Sequence, residues 1–348
     1  MSVALELAER GLLPDSVIRF GIRKLLRDRL RNESRSTPRE QAARLSKFVA
    51  ECRVGPIAIE TPAANKQHYE VPAAFFQKVL GPRLKYSSCL FDQPQRLGPA
   101  AAQSLGEAEN AMLKLASDRA ELRDGQSILE LGCGWGSWAL WMAERYPNAT
   151  VTGVSNSRTQ KALIDEQAER RGFKNLSIVT CDMNRFDPGR TFDRVVSVEM
   201  FEHMRNYQEL LRRVRSWLNP AGKLFVHVFC HQTMAYPFET EGDDNWMGRH
   251  FFTGGMMPSY DWLSLFADDL VVEDRWAVNG MHYANTLEAW LENLDRQRAQ
   301  LVSLFSTDAS RQLQRWRMFL MACAELFAYG GGKEWFVGHY RLAPVKPP

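Results

Sequence analysis

Glu130-Leu-Gly-Cys-Gly-Trp-Gly136 is the stretch that decides how this chain folds. The residues leading into it, Ser127–Leu131, form a short apolar run that reads as a buried strand, and a helical pattern follows. Glycines at such a junction let the backbone turn tightly and approach a ligand in the crevice outside the strand's carboxyl end. Several cofactor classes use a glycine-rich turn there. What sets this one apart is an acidic residue closing the strand and GxGxG spacing in place of GxGxxG.

Outward from the turn, Thr150–Ser155 is rich in β-branched residues, and Leu176–Thr180, Phe192–Val198 and Lys223–Phe229 repeat the same kind of run. Helical patterns separate them. This alternation predicts an α/β fold with a mostly parallel sheet and helices on both faces. Leu270–Trp276 and Trp335–Leu342 would complete seven strands. An aromatic insertion covers 230–260, densest from Tyr236 to Tyr260, and a helical insertion covers 286–328.

Ahead of the sheet, Val17, Ile18, Ile22, Leu25, Leu26 and Leu30 recur at helical spacing between Asp15 and Arg31, with Asp15 or Ser16 placed to cap the start. Arg19, Arg23, Lys24, Arg27, Arg29 and Arg31 occupy the remaining face. Such a face is either solvated, on a helix lying over the main domain, or held against an anionic membrane surface. Residues 32–66 are polar and punctuated by prolines, and read as a connection. The chain therefore divides into an N-terminal helical extension (1–66) and a main domain (67–348).

Composition narrows the class. In 348 residues, 45% are hydrophobic and 11% aromatic, enough to fill a large core. The 44 basic and 41 acidic residues leave a net charge of only +3, which argues against nucleic acid as a partner. No apolar run approaches the roughly 18 residues of a membrane span, and the opening Met1–Arg10 does not read as a secretory signal. The six cysteines are scattered without a CxxC pair, the pattern of reduced thiols in a cytoplasmic protein. Monomer and homodimer are both left open.

The first motif resembles that of class I methyltransferases, which have a Rossmann-like sheet. The resemblance implies S-adenosylmethionine as cofactor and S-adenosylhomocysteine as product, with Glu130 near the methionine part and Gly132, Gly134 and Gly136 passing beneath. The second strand ends Val154-Ser-Asn-Ser157, followed by Gln160. Asn156 and Gln160 thus stand where most members of the fold carry an acidic ribose ligand. Cys181-Asp-Met183 after the third strand corresponds to the adenine contact, with Asp182 accepting from the exocyclic amine and Met183 beside it. Read without the resemblance, Asp182 is a turn residue.

Further segments carry a narrower likeness: His68-Tyr-Glu70, Leu84-Lys-Tyr-Ser-Ser88, Glu199-Met-Phe-Glu-His203, Phe251-Phe-Thr-Gly-Gly255 and Gly280-Met-His-Tyr283 before Trp290. Together they resemble the cyclopropane fatty acid synthase superfamily, and within it the coclaurine N-methyltransferase-like branch. The resemblance implies that Tyr86 and Ser87 close over the cofactor and that Glu199, Glu202 and His203 form the catalytic group. Spacing agrees, since on a helix these three would share one face. An ammonium substrate must lose a proton before its nitrogen can attack. Paired carboxylates would attract the cation, and a histidine with a reference pKa of about 6.5 could take the proton.

Other readings of the same residues stand beside this one. Glu199 could cap a helix and His203 could be a buried hydrogen-bonding residue, or the three could ligate a divalent ion. Cyclopropane synthases hold a bicarbonate ion as base, and the positions concerned fall here at Ser88, Glu202, His227 and Tyr283. Serine replaces the family's cysteine at 88, with Cys89 next to it, and this departure counts against bicarbonate. His227, Trp246, Phe251, Phe252, Tyr260, Tyr283 and Trp335 are the candidate substrate contacts, because aromatic faces attract ammonium groups. Core packing is the alternative for all the aromatic ones. The leading expectation is N-methylation of a small-molecule amine, benzylisoquinoline-like or another arylalkylamine. The alternatives are cyclopropanation or C-methylation of unsaturated phospholipid acyl chains, and a non-catalytic cofactor-binding module.

Overall fold

The computed structural model describes residues 3–59, 72–94, 103–242, 245–305 and 308–345. The motif His68–Glu70 and the expected boundary at 66/67 lie outside these.

Five consecutive strands are β1 (Ser127–Leu131), β2 (Thr150–Ser155), β3 (Leu176–Thr180), β4 (Phe192–Val198) and β5 (Leu218–His231). After a two-stranded ribbon of β6 (Tyr236–Pro237) and β7 (Met256–Met257) come β8 (Leu270–Val278) and β9 (Trp335–Pro344). The sheet order is β3-β2-β1-β4-β5-β9-β8, parallel except for β9, which runs antiparallel to both neighbours. The expected bounds of β1 to β4 coincide with those observed, whereas β5 starts earlier and ends later. Both faces of the sheet are covered: Ile128 and Val196 join one apolar cluster, and Leu129 and Val195 join another. Buried on both sides, such strands read as continuous apolar runs.

The N-terminal helices are α1 (Val3–Glu9), α2 (Asp15–Ser34) and α3 (Pro38–Glu51). Pro14 occupies the cap of α2 and offers no side-chain bond, so Asp15 is not the cap. It pairs instead with Arg317. The stretch read as a connection contains α3, started by a capping box in which Thr37 Oγ1 accepts from the Glu40 N–H and the Glu40 carboxylate accepts from the Thr37 N–H. That Thr-x-x-Glu signature was present in the sequence. The cations of α2 also divide: Arg19, half-buried, and Arg23 pair with Glu288 and Glu325, and Lys24 and Arg27 stay exposed.

Along the main domain follow α4 (Ala73–Val79), α5 (Leu105–Arg119), α6 (Ser137–Arg145), α7 (Arg158–Arg171), α8 (Tyr207–Trp217), α9 (Trp246–His250), α10 (Gly280–Arg296), α11 (Arg298–Val302) and α12 (Ala309–Ala328). The helical insertion thus begins at 280, not 286. Helices α10 and α12 pack together, and α2 lies against α12. Glu9 fixes α1 in place: its fully buried carboxylate accepts from Arg311, Arg315 and the Trp246 indole, which hold its pKa down to about 2 against the desolvation of burial.

Candidate active site

Two cavities meet at the carboxyl end of the sheet, where the strand order reverses between β1 and β4, the usual place for a ligand in an open α/β sheet. The smaller, of about 70 Å³, is lined by Gly132, Gly134, Asn156, Gln160 and Met183 among others. The larger, of about 720 Å³, is lined by Glu199, Glu202, Phe252, Tyr283 and apolar residues of α2, α10 and α12. His203 lines both.

The smaller cleft is built from three strand ends. Gly132, Gly134 and Gly136 all have positive φ (75°, 51° and 82°), which only glycine adopts without strain. A Cβ on Gly132 would stand 2.8 Å from the Met200 side chain and one on Gly136 2.6 Å from Ile164, whereas one on Gly134 would meet nothing within 4 Å. Gln160 is oriented by Ser155, whose hydroxyl donates to Gln160 Oε1 at 2.7 Å. Gly136 and Glu130 line neither cavity; Glu130, near the end of β1, has its Oε2 buried and unpartnered among the described residues, and burial lifts its pKa to about 8. Asp182 departs from expectation. It does not line the cleft, and its Oδ1 accepts the Asn184 N–H at 2.7 Å in a local turn. Tyr86 lines the larger cavity instead of the cleft, and Ser87 is buried, receiving a bond from the ammonium of Lys85.

Glu199, Glu202 and His203 all reach the larger cavity, but not from a shared helix face. Glu199 directly follows β4 in a left-handed conformation (φ 48°), its N–H donating to the His227 carbonyl at 2.9 Å. Non-glycine residues rarely adopt that conformation, and strain of this kind gathers at functional sites. A single 3₁₀ turn, Phe201–His203, then carries the other two. Burial is the main cause that raises both carboxyl pKa values. Glu202 goes to about 8, and Glu199 is raised well above the usual carboxylate range by burial, to which the neighbouring Glu202 charge adds. His203 Nε2 stands 3.8 Å from Glu202 Oε1, and its ring stacks on Phe252 with centroids 6.2 Å apart. Among the described residues no group of three or more His, Cys, Asp or Glu side chains is arranged to hold a metal ion.

Of the expected substrate contacts, Trp246, Phe252 and Tyr283 line the larger cavity. The other four do not. His227 lies on β5 behind Glu199, 1% exposed. Phe251 stacks on Phe319 with centroids 4.2 Å apart, Tyr260 packs on Phe336, and Trp335 is fully buried with its indole N–H donating to the Tyr236 hydroxyl. Phe229, Tyr236, Trp290, Met318, Phe319 and Phe327 complete the wall and were not assigned from sequence as substrate contacts. The helical periodicity of 309–328 marks an apolar face, and only packing against α10 shows that this face borders a cavity.

Residues 59–333 match the model of the mycolic acid cyclopropane synthetase family. The chain belongs to that family. It is 37% identical over 340 residues to (S)-coclaurine N-methyltransferase of Thalictrum flavum subsp. glaucum, covering 95% of this chain and 92% of the relative. The crystal structure of coclaurine N-methyltransferase bound to N-methylheliamine and SAH superposes with a TM-score of 0.92 at 34% identity, over 98% of both chains. Similarity also reaches the cyclopropane-fatty-acyl-phospholipid synthase of Escherichia coli (strain K12), at 28% identity over 265 residues, 76% of this chain and 64% of the relative.

Proposed function

We propose that this chain is an S-adenosylmethionine-dependent methyltransferase that methylates the nitrogen of a small-molecule amine. The observation that carries the reading is His203, which stands in the wall shared by a glycine-lined cleft and a large apolar cavity holding two buried carboxyls. The relatives named for N-methyltransferase activity, alike over nearly the whole chain, support it.

The residues of the cleft fit the cofactor: a glycine cradle open above Gly134 and polar side chains of Asn156 and Gln160 at the second strand end, with a buried, unpartnered carboxyl oxygen of Glu130 on the strand that leads into the cradle. When bound, S-adenosylmethionine supplies an electrophilic methyl group. The protein's own residues prepare the nucleophile. An amine with a pKa of about 10 enters as an ammonium ion. Glu199 and Glu202, whose carboxyls burial raises above the usual range, lower their pKa values when a cation enters, so binding and ionisation reinforce each other. The proton then passes to the Glu202–His203 pair, a general-base role typically worth about 10²–10⁴ in rate. Aromatic walls hold the amine and exclude water.

Of the four bicarbonate-related positions, only Glu202 and Tyr283 line the cavity. Ser88 is fully buried and donates to the Cys89 carbonyl, and burial pushes the Cys89 thiol up to about 12. This arrangement supports the amine over the lipid reading. The test is transfer of labelled methyl to tetrahydroisoquinolines and arylalkylamines by wild type and by Glu202→Gln. Label on the amine that falls at least a hundredfold in the variant is expected, and wild-type inactivity on every amine would overturn the reading.

A further inference from the structure

Behind Glu199 a chain of three side chains runs from β5 through β9 to the end of helix α5. His227 on β5 and His339 on β9 are direct register partners of the antiparallel pair, and their rings meet with His339 Nε2 and His227 Nδ1 2.8 Å apart. His339 Nδ1 lies 2.8 Å from Nη1 of Arg119, the last residue of α5. At the other end, His227 Nε2 stands 3.4 Å from Glu199 Oε1 without hydrogen-bond alignment, and neither atom has a hydrogen-bond partner among the described residues. Both histidines are essentially inaccessible, and burial with the nearby cations keeps them neutral.

The chemistry of the terminal residue sets the direction of every bond. A guanidinium only donates. His339 Nδ1 must therefore accept, which leaves the His339 proton on Nε2, donating to His227 Nδ1. The His227 proton is then on Nε2, facing Glu199. We propose that Arg119 and His339 are positioning residues that lock His227 in its Nε2–H tautomer, so that it presents a donor to Glu199 and holds that carboxylate toward the cavity. The inference rests on the assignment of Glu199 to the amine site. Arg119 cannot relay a proton, so the chain sets orientation and does not conduct.

The other titratable groups facing Glu199 are Glu202, Lys85, Tyr283, Cys230 and Cys323, and Lys85 also faces His227. None of them donates to His339, so the lock depends on Arg119.

The test has two readouts. In protein labelled with ¹⁵N-histidine, with signals assigned through His227→Gln and His339→Gln, both rings should be neutral and protonated on Nε2 near pH 7. Arg119→Met should give His339 and His227 a mixture of tautomers, and Arg119→Lys, which still only donates, should restore the wild-type pattern. With an amine substrate, Arg119→Met should lower kcat about ten- to a hundredfold, because misplacing a site group by a remote mutation costs up to about 10² in rate. It should also shift the acid limb of the pH profile upward, because Glu199 loses a donor that favours its charged form, with KM for the cofactor unchanged. A His227 proton on Nδ1 in the wild type, or tautomers unaltered by Arg119→Met, would overturn the proposal. The tautomer spectrum needs no substrate, so failure of the lock and failure of the amine assignment are told apart.

Discussion

Arg19 on α2 and Glu288 on α10 are joined by a fork of two hydrogen bonds, Nη1 to Oε1 at 2.6 Å and Nη2 to Oε2 at 2.9 Å. The fork holds α2 as one wall of the larger cavity, where Ile18, Ile22 and Leu26 face the site. Arg19→Ala should lower stability by about 1.5–3 kcal/mol, the range for hydrogen bonds to charged groups. It should also raise KM for the amine several-fold while leaving cofactor affinity unchanged. Denaturant unfolding and separate titrations of cofactor and amine check both parts.

Gly134 lines the cleft in a left-handed conformation, and a methyl group there would point into open space instead of into protein. Gly134→Ala should therefore cost only about 1 kcal/mol of stability through backbone strain. Affinity for S-adenosylmethionine should fall at least tenfold, because the added methyl occupies the cofactor's volume. Calorimetric titration of wild type and variant provides the comparison.

Burial raises the Glu202 carboxyl from its ordinary 4.5 to about 8 in the folded protein. A raised carboxyl means that the folded protein binds protons more tightly than the unfolded chain between those two values. The contribution of Glu202 to stability is thus fully present at low pH and is lost as pH climbs through about 8. Glu202→Gln removes this dependence. The stability gap between wild type and variant should move in favour of the variant from pH 5 to pH 8, by on the order of a few kcal/mol at most. Urea unfolding of the ligand-free proteins at the two pH values reads it directly.

Met318 lines the cavity on α12, whereas Tyr260 packs outside it. Met318→Trp should raise KM for a benzyl-substituted tetrahydroisoquinoline more than tenfold and spare a small arylalkylamine. Tyr260→Phe keeps the ring packing outside the cavity and should leave the kinetics on both amines within about twofold of wild type, a change of about 0.4 kcal/mol or less in the barrier. Steady-state kinetics on the two amines distinguish a cavity wall from core.

The sheet was legible because its parallel strands are buried on both faces. The apolar run Ser127–Leu131 is buried from Ile128 to Leu131, and Gly132 marks the turn, whereas the edge strand Leu176–Thr180 buries only Ile178. The cleft was legible for the same reason: its residues follow strand ends in chain order. The larger cavity was not. Phe251 and Phe252 are neighbours of one residue type, yet one stacks on Phe319 and the other lines the cavity. The difference depends on how α12 lies across the insertion, which no local pattern encodes. Glu199 was found as a residue but not as a conformation, because the spacing to Glu202 and His203 fits a helix face as well as it fits a left-handed residue followed by a 3₁₀ turn.

One competition measures the central claim most directly. The protein is given labelled S-adenosylmethionine together with a tetrahydroisoquinoline and vesicles of monounsaturated phospholipid, with and without added bicarbonate, and products are separated by mass spectrometry. The account predicts label on the amine nitrogen, none in the acyl chains, and no response to bicarbonate. Label in the acyl chains, with the amine untouched, would contradict it.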